Sequence, residues 1–186
     1  MEISFSHIST FISLIFGFAI IHAITCISTY IQNINKMKFD IIWTMWSLVI
    51  MLFSTAIWWR IFRRWSIIEI WYPYYFIYLV LLSLLVALIF FIRFDKFDEL
   101  DEGNLEKQFY KTKKPFFIML SILFACIALG KDIVLGTINL NTIQNSFPLL
   151  IQGLIVLLLA FINHRMIHLF VAIIFFVLPL FGMFKH

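Results

Sequence analysis

The sequence predicts an all-α integral membrane protein, a bundle of six transmembrane helices. Three observations carry that expectation. Hydrophobic residues make up 63% of the 186 residues and charged residues only 13%, against about 25% charged in a soluble domain. Six long apolar runs fill the chain almost from end to end, most of them near the roughly 20 residues that ~30 Å of hydrocarbon requires. Aromatic residues crowd the ends of two runs, where amphipathic rings settle at headgroup level. The whole of 1–186 therefore reads as a single transmembrane domain without a separate soluble unit.

The first run, Phe5 to Tyr30, follows Met1 and Glu2 with no Lys or Arg. It lacks the positive n-region of a secretory signal and reads as a retained helix. The second, Ile41 to Trp59, opens with Trp43 and Trp46 and closes with Trp58 and Trp59, a girdle at both interfaces. The third, Ile67 to Ile92, begins among Trp71, Tyr72, Tyr74 and Tyr75, with Pro73 placed in a first turn, where no internal donor is needed. Pro115 to Leu135, Phe147 to Ile162 and Met166 to Phe184 complete the set. Only Asn163, His164 and Arg165 separate the last two, so a tight hairpin, or a turn that borrows from its flanks, is expected.

The one sizeable polar stretch is the charged loop 93–114, with Asp95, Asp98, Glu99, Asp101, Glu102 and Glu106 beside six basic residues. It reads as a solvated connector; the alternative is short helices resting on the membrane through Phe94, Phe97, Leu100, Leu105 and Phe109. Alternating crossings put Lys36, Lys38, Arg93, Lys96, Lys107, Lys111, Lys113, Lys114 and Arg165 on one side. Arg60, Arg63, Arg64, Lys131 and Lys185 fall on the other, a tally of nine against five. The positive-inside rule then places the charged loop in the cytoplasm. The basic residues mark helix ends rather than one folded face, which argues against nucleic acid as a partner.

Within the spans, chemistry has few footholds. Ser9, Ser13 and Gly17 recur every four residues along one stripe of the first span, and Ala19 and Ala23 form a second small pair. Small residues let helices approach closely in lipid, so this span belongs inside the bundle or at the interface of a homo-oligomer. His22 lies about 7 Å from the middle of that span, with Cys26 one turn further on. An ionisable group there is either a hydrogen-bonded packing residue or a group that handles protons or ions or ligates a cofactor. Cys26 and Cys126 read as small apolar packing residues. Glu69, Arg60, Arg63, Arg64, Lys131 and Asp132 share one side on alternating topology and suggest an interfacial ion-pair network.

His164 and His168 are spaced to share a metal on one helical face, but Arg165 stands where a zinc hydrolase would carry glutamate. They are weak metal candidates beside the simpler reading of side chains snorkelling at a helix end. His7 and His22 are ~60° out of register, a poor fit to two haems. No phosphate loop or nucleophile elbow occurs in the sequence. No catalytic residue, metal site or cofactor is therefore assigned.

Leu14, Gly17, Ala19, His22 and Ala23, followed by Trp43, Trp46, Trp58 and Trp59, resemble a loosely defined group of small, uncharacterised multi-pass proteins of the bacterial inner membrane. The resemblance covers about the first half of the chain. It implies that membrane and transfers no activity, cofactor or site residue. Three functions stay open: an oligomeric channel or transporter for an ion or small solute, a sensor or scaffold subunit with a protein partner at loop 93–114, and a haem- or metal-binding membrane protein.

Overall fold

The computed structural model describes residues 5–32, 40–65, 73–93, 104–130, 132–133, 136 and 138–184. Within them the chain forms α1 (Phe5–Gln32), α2 (Ile41–Trp65), α3 (Pro73–Arg93), α4 (Leu105–Ala125), α5 (Leu140–Leu159) and α6 (Arg165–Phe184). A π-helical turn, Cys126–Gly130, prolongs α4. There is no strand among the described residues. Three stretches are both long and apolar enough to cross a membrane, namely Thr10–Gln32, Ile41–Trp59 and Leu105–Gly130. Six were expected. The other three helices are apolar over shorter described lengths, Ile77–Ile92, Ile143–Leu159 and Arg165–Leu178.

Helices α1 and α6 fall close to where hydropathy puts them; α2 runs six residues past the expected Trp59, the expected start of the third run at Ile67 lies outside the described residues, and α4 and α5 depart most. The second half of the charged loop is already helix, because Asn104 caps α4 by accepting hydrogen bonds from the Glu106 and Lys107 amides. Leu105 and Phe109 consequently pack inside the protein instead of resting on a membrane surface. Pro115 stands within α4, on its exposed side. Helix α5 starts seven residues before the expected Phe147 and carries Pro148 within it. It also stops at Leu159, so the turn to α6 takes residues from the α5 flank.

Packing is dominated by three pairs: α4 with α5, α1 with α3, and α2 with α6. Helix α4 also meets α3 and α2, which makes it the hub. Its own interior face supplies Phe116, Phe117 and Phe124 to the core, against Trp46 of α2 and Phe175 of α6. Trp46 meets Phe117 edge-on at 4.8 Å and Phe116 at 6.0 Å between ring centroids. That geometry suits the quadrupoles of the rings. The opening half of the expected girdle is not at the surface: Trp43 and Trp46 are buried on the face that α2 turns inward, whereas Trp59 is exposed.

Two glycines mark close approach. An added Cβ at Gly153 of α5 would lie 3.1 Å from Phe124 Cβ of α4. At Gly130 it would fall 2.5 Å from the Tyr78 ring. Tyr78 cannot easily yield, since its hydroxyl donates to the Cys126 carbonyl at 3.0 Å. Ser146 of α5 donates to Ala128 O at 2.7 Å, so two side chains satisfy carbonyls of the π turn.

Candidate functional site

Polar side chains gather at one end of the bundle, where α2, α4 and α6 begin and α5 ends. Asp40 immediately precedes α2, and its Oδ2 accepts from the Trp43 amide at 2.9 Å, an N-cap. Its other oxygen, Oδ1, receives Arg165 Nη2 at 2.7 Å. Arg165 Nη1 reaches Glu106 Oε1 in the first turn of α4 at 3.1 Å. One guanidinium at the first residue of α6 therefore clasps the starts of three helices. Both carboxylates sit at helix N-termini, where the macrodipole favours negative charge. The two bonds are unequal in setting: the Asp40 side chain is 2% exposed and that of Glu106 is 47% exposed.

Beside the clasp lies a buried cation. Lys113, one face of α4 away, is 4% exposed. Its Nζ donates to the Ile162 carbonyl at 2.8 Å and to Asn163 Oδ1, and it lies 5.5 Å from the centre of the Tyr110 ring. All of these partners are neutral. The ammonium sits just past the C-terminus of α5, where orphan carbonyls and the negative end of the dipole take the place of a carboxylate. Tyr110 adds a third tie, its hydroxyl donating to Asn163 O at 3.3 Å.

His168 completes the cluster. It is wholly buried, and its Nε2 lies 2.8 Å from the same Ile162 carbonyl that Lys113 holds. A carbonyl only accepts, so Nε2 carries a proton and, in the neutral ring, Nδ1 does not. Nδ1 is buried with no hydrogen-bond partner among the described residues. The ring stacks on Phe117 at 5.4 Å and meets Phe109 edge-on at 5.2 Å. His168 is therefore a core residue, whereas His164 is exposed. No group of three or more His, Cys, Asp or Glu side chains able to hold a metal occurs among the described residues.

The other residues singled out from the sequence are scattered. Ser13 accepts a hydrogen bond from Trp58 Nε1 at 3.0 Å, joining α1 to α2. Gly17 has nothing within 4 Å of an added Cβ, so the stripe is open at that position, while one turn earlier it is met by Trp58. Ala19, Ala23 and Cys26 are buried and form the packed face of α1 instead. His22 is half-buried against the Phe91 ring at 4.6 Å, and its Nε2 has no hydrogen-bond partner among the described residues. The side chains of Ser9, Arg60, Arg63 and Arg64, together with Glu69 and Lys131, lie outside the described residues, and with them nearly all of the ion-pair network proposed around Asp132.

Comparison of this chain with protein-family models, with curated proteins and with solved structures finds no match. Function has to be argued from the geometry alone.

Proposed function

We propose that this chain is a protein of the bacterial inner membrane that crosses the bilayer six times and serves as a sensor or scaffold subunit, acting through protein partners at its cytoplasmic end. Crossing six times is supported by length. Helices α3, α5 and α6 have 21, 20 and 20 residues, about 30 Å each by helical rise. It is supported as well by the clasp, since alternating crossings bring the starts of α2, α4 and α6 to one side. The excess of lysine and arginine assigns that side to the cytoplasm.

The single observation that carries the scaffold reading is the filling of the bundle's middle. Trp46, Phe116, Phe117, Phe124 and Phe175 are all buried there in ring-to-ring contact. The buried hydroxyls of Ser47, Ser54, Ser83 and Thr112 bond to the carbonyl four residues back on their own helices. That is the arrangement of hydroxyls in a dry interior, not of groups facing a polar path. Purified chain reconstituted in liposomes is expected to give ion and solute flux no greater than protein-free vesicles. Flux above that baseline would overturn the scaffold reading.

One observation favours a second reading, a pathway between copies. The open position at Gly17 on α1 is suited to close approach by another helix, and a homo-oligomer joined there would place any conducting route between chains.

A further inference from the structure

We propose that one exposed stripe of α5 is the contact between two copies of this chain, an amide-bearing seam on the twofold axis of a membrane dimer; this rests on the membrane reading above and adds a defined interface to it. Helix α5 packs chiefly on α4 and its π turn, which leaves most of its circumference open. Asn141, Asn145, Pro148, Gln152 and Ile155 recur at intervals of four, three, four and three. That is the heptad spacing that keeps one line of a helix facing a partner helix. Four of the five are exposed and Gln152 is partly so. Asn145 and Gln152 each precede a buried residue of the α4 seam, Ser146 bonded to the π turn and Gly153 against Phe124. The stripe therefore stands ~100° round the helix from that seam.

Depth gives the amides their weight. By helical rise Gln152 lies about 4 Å from the midpoint of the 20-residue α5, where acyl chains offer no hydrogen bond. A carboxamide at that depth gains from another helix that can both donate and accept. A second copy of this chain supplies such a helix, because an amide carries donor and acceptor together and a stripe of amides is complementary to itself. Two chains inserted the same way round have parallel α5 helices, and a twofold axis along the membrane normal sets each seam residue beside its own counterpart. Gln152 then meets Gln152 and Asn145 meets Asn145. Such self-contact is costly for like charges, and the stripe carries none. The seam is separate from the opening at Gly17 on α1.

The test is oxidative cross-linking of the full chain in proteoliposomes, with Cys26 and Cys126 replaced by alanine and one cysteine introduced at a time. Ile155→Cys lies on the seam and keeps both amides, Leu154→Cys is exposed but ~100° away, and Gly17→Cys reports on α1. Copper phenanthroline is expected to give a disulfide-linked dimer from Ile155→Cys and little from the other two. Adding Gln152→Leu is expected to raise about fivefold the protein-to-lipid ratio at which half of the chain cross-links, the loss of roughly one interhelical hydrogen bond. Should Gln152→Leu fail to fold, Asn145→Leu, at an exposed position, is expected to shift the ratio in the same direction. Cross-linking from Ile155→Cys no greater than from Leu154→Cys would overturn the proposal, and so would a ratio unmoved by the amide substitutions. A dimer formed through Gly17→Cys alone would do the same, by placing the contact on α1. The membrane reading fails separately, if alkaline carbonate releases the chain from membranes.

Discussion

At the scale of single residues, the two carboxylates bound by Arg165 should differ in their contribution. The Glu106 pair is about half exposed on both sides, and such pairs contribute about 0.2–1 kcal/mol. The Asp40 bond is made to a buried carboxylate that also caps α2, a charge-assisted bond of about 1.5–3 kcal/mol. Unfolding in detergent micelles should therefore show Arg165→Met and Asp40→Ala each clearly more destabilised than Glu106→Gln. Equal losses would mean that the clasp is merely a surface ion pair. Lys113→Met tests the opposite idea. It removes a desolvated cation with neutral partners and keeps the apolar stem, so stability should stay within about 1 kcal/mol of wild type. A large loss in the same unfolding assay would show that the α5 terminus depends on that charge. The signals for this site were present in the sequence but were not assembled into it: an aspartate just before Ile41 is an N-cap signal, and Arg165 adjoins the expected helix start at Met166. What sequence could not give was their meeting, because the residues are 125 positions apart and nothing in a single chain specifies which helix starts become neighbours.

At the scale of elements, the helices were readable where apolar residues are continuous and misread where a helix outlasts its apolar run. Helix α4 has three amphipathic turns above its apolar part, with Lys107, Lys111 and Lys114 outward and Leu105, Phe109 and Thr112 inward. A hydropathy window averages those faces and reports a loop. Helix α5 outlasts its apolar run for a similar reason, since Asn141, Gln144 and Asn145 are exposed polar residues on its first turns. Close approach between elements gives a sharper prediction. Gly130→Ala drives a Cβ into the anchored Tyr78 ring and should cost about 1–3 kcal/mol. Gly17→Leu meets nothing with its Cβ in the monomer, so its unfolding midpoint should match wild type. If light scattering finds a wild-type oligomer that Gly17→Leu weakens at unchanged monomer stability, α1 is the contact between copies. A wild type that is monomeric in mild detergent removes the second functional reading.

At the scale of the whole molecule, the account depends on how many times the chain crosses the bilayer. Three stretches qualify by length and hydropathy together, and the proposal of six rests on the clasp at the starts of α2, α4 and α6. Three crossings with the remaining helices lying on one surface would need Asp40, Glu106 and Arg165 to meet in some other way. The most direct measurement is labelling by a membrane-impermeant maleimide of single cysteines placed at Ser66, Asn104, Asn141 and Asn163, in a background where Cys26 and Cys126 are alanine. Six crossings predict that positions 104 and 163 react from the cytoplasmic side and positions 66 and 141 from the opposite side; labelling of 66 and 104 from the same side would contradict the account.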